Sequence, residues 1–192
     1  MKLSGSRIIP ASRSEVWRAL NDPETLERIL PGAKSIERVG DTQYNIETQM
    51  KVGPVAANFK GHIQLSDVVP NERYTIHAEG KGVAGFAKGT GEVVLQDAED
   101  NKTLLTYEAR STVGGKLAQI GQRLIDATAT RMTEEFFANL AQILTSPDSP
   151  DSVPVVTQTP VKTKYSTTRT SKLIIAATVV VIFALFVYLV AV

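Results

Sequence analysis

Gln43-Tyr44-Asn45-Ile46-Glu47-Thr48-Gln49-Met50-Lys51-Val52-Gly53-Pro54-Val55-Ala56-Ala57-Asn58-Phe59-Lys60-Gly61-His62-Ile63-Gln64-Leu65 alternates apolar and polar residues on both sides of a Gly-Pro turn. A strand turns successive side chains to opposite faces, so period two marks a strand with one buried face. Tyr44, Ile46, Thr48, Met50 and Val52 share that face, and Val55, Ala57, Phe59, Gly61, Ile63 and Leu65 continue it after the turn. The result is an antiparallel hairpin that is wet on one side and needs a cover on the other.

Working toward the C-terminus, Pro70-Asn71 predicts a turn, and Tyr74, Ile76 and Ala78 keep the alternation. Residues 84–96 and 103–112 read as two more strands, joined through Glu99-Asp100-Asn101. The cover comes next. Leu117, Ile120, Leu124, Met132, Phe136, Leu140 and Ile143 recur at helical spacing, which predicts one long helix from about Lys116 to Leu144.

Toward the N-terminus, residues 2–9 read as a strand, and Ser12-x-x-Glu15 is a capping box ahead of Val16, Trp17 and Leu20. Asp22-Pro23 opens a second short helix carrying Leu26, Ile29 and Leu30, which stops at Pro31-Gly32. The predicted fold is α+β: a curved antiparallel sheet around a long C-terminal helix, with two short helices closing an end.

The chain has 192 residues, enough for one domain and an appendage. Its net charge of +1 hides a split, because residues 1–144 carry 17 Lys/Arg against 18 Asp/Glu. Asp148 and Asp151 follow, and then Lys162, Lys164, Arg169 and Lys172 place four cations just ahead of the apolar end. The body therefore has no net pull on nucleic acid. Cysteine is absent, which excludes disulfides, thiolate zinc sites and a Cys nucleophile.

Leu173 to Val192 holds no charge, and its polar atoms are the hydroxyls of Thr178 and Tyr188. Twenty residues of helix span roughly 30 Å, the thickness of the hydrocarbon core of a bilayer. A buried core helix of that length would keep a polar stripe, and this one is apolar all round. The expected organisation is a body over 1–145, a disordered Pro/Ser/Thr-rich linker over 146–171 and a single-pass transmembrane tail anchor over 172–192. Lys172, Leu173, Phe183, Phe186, Tyr188 and Val192 are its expected membrane contacts. The cations ahead of the span, and an N-terminus with no signal-peptide core, predict a body in the cytoplasm at the cytoplasmic membrane. As a flexible coil the linker reaches roughly 25–30 Å.

The order of elements resembles the helix-grip fold of the START and polyketide-cyclase superfamily. Several stretches resemble, more narrowly, the G-subunit family of carbon monoxide dehydrogenase. They are Asn21-Asp22-Pro23-Glu24, Leu30-Pro31-Gly32, Lys51-Val52-Gly53-Pro54-Val55, Gly80-Lys81-Gly82, Gly85-Phe86-Ala87-Lys88-Gly89, Gly114-Gly115-Lys116-Leu117-Ala118-Gln119-Ile120-Gly121 and Glu135-Phe136-Phe137. The resemblance covers roughly residues 1–145. It implies an accessory protein that brings a molybdenum hydroxylase, such as carbon monoxide dehydrogenase, to the membrane.

The residues themselves offer little catalysis. His62 and His77 fall on the polar phase of their strands, no nucleophile–base pair is visible, and no metal site is expected. Gly80, Gly82, Gly85, Gly89 and Gly91 lack the context of a phosphate loop and read as bends. Small inward residues predict spare volume between sheet and helix. The expected lining is Trp17, Leu26, Ile29, Phe59, Phe86, Tyr107, Leu117, Ile120, Gly121 and Leu124. With no covalent cofactor expected, the expected ligand is a quinone, menaquinone or ubiquinone, with its tail buried and its head offered to the hydroxylase. The rival readings are a pure tether with a closed core, a lipid-transfer or sensor domain unrelated to a hydroxylase, and a cyclase-like enzyme. A lack of ionisable inward residues counts against the last.

Overall fold

The computed structural model describes residues 2–146, so the expectations for the linker beyond Ser146 and for the membrane anchor lie outside the described residues. Seven strands form one antiparallel sheet. They are β1 (Lys2–Ile9), β2 (Ala33–Arg38), β3 (Gln43–Val52), β4 (Val55–Val69), β5 (Arg73–Gly82), β6 (Gly85–Ala98) and β7 (Lys102–Gly114). Their spatial order is β1-β7-β6-β5-β4-β3-β2. The consecutive hairpins from β2 to β7 make a meander, and β1 closes beside β7.

The two edge strands are joined by α1 (Arg13–Ala19) and α2 (Pro23–Ile29). Both helices start where side-chain chemistry predicts. The Glu15 amide donates to Ser12 Oγ at 3.4 Å and the Ser12 amide donates to Glu15 Oε2 at 2.9 Å, a reciprocal cap. The Thr25 amide donates to Asp22 Oδ2 at 2.9 Å, with Pro23 at the first helical position.

Alternation puts Tyr44, Ile46, Thr48, Met50, Phe59, Ile63, Leu65, Tyr74, Ile76 and Ala78 on the buried face. The buried sides of α1 and α2 supply Val16, Trp17, Leu26 and Ile29 to the same core.

The cover departs from the expected single helix. A 3-10 turn (Leu117–Gln119) leads to Gly121, and only then does α3 (Gln122–Thr145) begin. Gly121 has φ 96° and ψ 136°, a conformation that a side chain opposes and glycine accepts. This break resets the helical phase. The buried residues of α3 are Ile125, Ala129, Met132, Thr133, Phe136, Phe137 and Leu140, whereas Leu124 is 48% exposed.

β2 is a strand that the alternation did not single out, because only Ile36 of its six residues is buried. Among the described residues no helix is long and apolar enough to cross a membrane.

Candidate functional site: the interior between sheet and helix

The inner face of the sheet carries a band of small residues. Gly61 lies opposite Gly80, and Gly80 opposite Ala87. One row along, Ala78 lies opposite Gly89, and Gly89 opposite Ser111. Gly91 faces Ala109 in the next row. Bulkier residues flank the band, with Phe59 and Met50 on one side and Tyr74, Val93 and Leu95 on the other. Small residues across the middle of the sheet leave it little side-chain volume of its own under the helix that covers it.

The expected lining residues divide by position. Trp17, Leu26 and Ile29 are buried at the closed end, where the Trp17 ring meets Tyr74 edge-on at 5.6 Å. Phe59, Tyr107 and Leu117 are buried along the walls. Tyr107 sits toward the β1 edge, packed on Phe137 at 5.8 Å and lying over Gly5, where a Cβ would come within 2.5 Å of its hydroxyl. Ile120, Gly121 and Leu124 gather at the open end. A Cβ on Gly53 would lie 3.3 Å from Leu124 Cδ1 and 3.7 Å from Ile120 Cγ2. Phe86 is apart from the others. It is 45% exposed, shares the outward phase of Lys88, and lays its ring over Gly114.

Buried hydroxyls are what the sequence reading passed over. Thr48 Oγ1 on β3, Tyr74 Oη on β5 and Thr133 Oγ1 on α3 are buried with no hydrogen-bond partner among the described residues. Alternation already turned Thr48 and Tyr74 inward, so the signal was present in a polar atom on an apolar face. Burying a hydroxyl without a partner is costly, and such groups in an interior mark a place for a water or a ligand acceptor. Burial pushes the Tyr74 phenol far up, and the nearby Tyr44 adds to the effect. Tyr74 therefore stays a proton donor. Burial raises Tyr44 as well, opposed by Arg38, whose Nη2 donates to the Tyr44 hydroxyl at 2.9 Å.

The outer face offers a different surface. His62, His77, Glu79, Lys88 and Arg110 line an open groove of about 640 Å³ across β4 to β7. His62 Nδ1 lies 3.2 Å from Asn45 Oδ1, and His77 Nε2 lies 3.0 Å from Ser66 Oγ. These are partnered, wet histidines, as the polar phase predicts. Among the described residues no group of three His, Cys, Asp or Glu side chains is placed to hold a metal ion.

A seven-stranded antiparallel sheet closed on a C-terminal helix, with two short helices between its edge strands, defines a START-like fold. A START superfamily protein from Mycobacterium smegmatis shares it at 15% identity and TM-score 0.56, over 74% of this chain and 96% of that one. The CoxG family, the G-subunit family of carbon monoxide dehydrogenase, matches residues 5–145, and this chain belongs to it. That family is one of accessory proteins and not of catalytic ones.

A conserved protein from Geobacillus kaustophilus is 30% identical with TM-score 0.71, over 75% of this chain and 95% of that one. A protein from Rhizobium leguminosarum is 18% identical with TM-score 0.55, over 75% and 93%. No curated protein matches.

Proposed function

We propose that this protein is a non-catalytic carrier and adaptor that couples a cytoplasmic molybdenum hydroxylase, of the carbon monoxide dehydrogenase type, to the membrane quinone pool. Three things support the reading: the family is one of accessory proteins, the fold is a binding fold, and the uncharged stretch from Leu173 to Val192 is long enough to anchor the chain in a bilayer. The observation that carries the ligand part is the glycine and alanine band under α3, with unpartnered hydroxyls buried beside it.

A quinone suits such an interior. Its prenyl chain gains about 25 cal/mol per Å² of apolar surface removed from water, and its two carbonyl oxygens are acceptors for buried hydroxyl donors. The hydroxylase supplies two electrons, solvent supplies two protons, and the carried quinone leaves as a quinol. The protein contributes binding, exclusion of water and delivery.

Affinity capture with the full-length chain from detergent-solubilised membranes tests the partner. A co-eluting molybdenum hydroxylase, with quinone in the organic extract, is the expected result. Capture of lipid without any such enzyme would instead favour a lipid-transfer or sensor domain.

A further inference from the structure

We propose that the open end of the body is a docking surface for an anionic lipid bilayer, with its turn tips seated among the headgroups. Three segments form this end: the β3–β4 turn, the β5–β6 turn, and the passage from β7 into α3. They meet physically. The Leu117 amide donates to the Ala84 carbonyl at 3.1 Å, and Gly53 lies against Leu124 and Ile120.

Charge is distributed unequally between this end and the rest of the body. Residues 48–60, 80–90 and 112–125 contain six Lys/Arg and no Asp or Glu. The rest of residues 1–144 carries eleven Lys/Arg against eighteen Asp/Glu. Lys60 is tied to Glu47, and Lys88 stands across from Glu79. Lys51, Lys81, Lys116 and Arg123 are exposed. A body so polarised turns its cationic end toward a negative surface.

Apolar side chains stand out at the same end. Val83 is 89% exposed, Phe86 45% and Leu124 48%, three of the five large apolar residues exposed among those described. They project singly from a turn, a strand end and a helix start, not as one flat patch. Isolated apolar tips on the same segments as exposed cations match the boundary of acyl chains and headgroups, whereas a protein partner would favour a contiguous apolar centre.

The attachment point does not oppose this orientation. α3 runs from the open end to the closed end, where Asn139 Nδ2 donates to the Ile29 carbonyl at 3.2 Å. Its 24 residues span about 36 Å. The 26 residues from 147 to 172 reach at most roughly 85–95 Å. An anchor starting at Leu173 therefore allows the body to stand with its open end on the bilayer.

The proposal rests on reading the body as a membrane-side carrier, but its test needs neither tail nor quinone. The Geobacillus structure matches this body over 95% of its own length, so a body of these bounds folds without the tail in that relative. A chain ending at Ser146 is sedimented with vesicles of phosphatidylcholine alone, and with vesicles of phosphatidylcholine and phosphatidylglycerol in equal parts. It should partition onto the anionic vesicles only, and salt should weaken it.

Lys81→Ala and Lys116→Ala should each lower the partition coefficient about fivefold. Val83→Asp should lower it further, and Lys102→Ala at the opposite end should leave it unchanged. All four side chains are at the surface, and circular dichroism confirms the fold of each variant. No partition onto anionic vesicles, or partition indifferent to Lys81, Lys116 and Val83, would overturn the proposal. Because these vesicles hold no quinone, failure here leaves the ligand reading standing, and a failed ligand titration leaves docking standing.

Discussion

The amide of Leu117 donates to the carbonyl of Ala84 at 3.1 Å, so the chain that covers the sheet is fastened to the β5–β6 turn before α3 begins. Between that fastening and α3 lies Gly121, in a conformation reserved for glycine. The cover is thus broken and redirected at the open end. At the closed end it is packed through Phe136, Phe137 and Leu140.

Two glycines here differ in what a side chain would cost: Gly121 at φ 96° bears conformational cost alone, and Gly85 at φ 141° bears it together with a steric one. A Cβ on Gly121 would meet nothing within 4 Å, so Gly121→Ala carries only backbone strain and should cost about 1–3 kcal/mol. A Cβ on Gly85 would lie 2.0 Å from the Gly114 carbonyl oxygen, where backbone must move. Gly85→Ala should therefore lower the urea midpoint more than Gly121→Ala. Equal midpoints would contradict this.

Filling the small-residue band tests whether the space is real. Ala78 faces Gly89 across the strands, so Ala78→Leu adds its volume beside a residue that has no side chain. We expect a folded protein losing less than about 1.5 kcal/mol while apolar ligand binding is abolished. In a closed core the same change overpacks and costs about 1–3 kcal/mol.

Removing the Tyr74 hydroxyl removes a buried donor that has no partner among the described residues. Tyr74→Phe should stabilise the ligand-free body by about 1 kcal/mol in chemical denaturation.

Alkaline pH gives a second reading of the same residue. Burial raises the Tyr74 phenol from its ordinary 10.0, so the folded body holds a proton that the unfolded chain releases. Its contribution to stability is complete below about pH 10 and is lost as pH rises above that value. Wild type should lose stability through that range more steeply than Tyr74→Phe, as followed by urea titrations at successive pH values.

Much of this architecture was legible because period-two alternation is a direct image of a half-buried strand. Tyr44 to Met50 and Ala57 to Leu65 told the buried face from the wet one, and the Ser12 and Asp22 caps located both short helices. The order of elements counted six strands after the short helices, but alternation did not locate β2, because Lys34, Ser35, Glu37 and Arg38 give an edge strand no apolar face to read. The break before α3 escaped because Leu117, Ile120 and Leu124 keep helical spacing straight through Gly121, and spacing alone does not report a positive φ. Phe86 was grouped with the interior for its chemistry, although alternation with the buried Ala87 already turned it outward. The open-end surface was hidden for another reason: its cations and apolar tips lie on three separated segments that only the hairpin register brings together.

Trp17 offers the sharpest probe, being the single tryptophan of the chain and lying buried against Tyr74 at the closed end. A body ending at Ser146 is titrated with a quinone while Trp17 emission is followed, since a quinone held nearby quenches it. The account predicts saturable quenching that ends at one equivalent and is absent in Ala78→Leu. Quenching that grows linearly with added quinone, equally in both proteins, would contradict it.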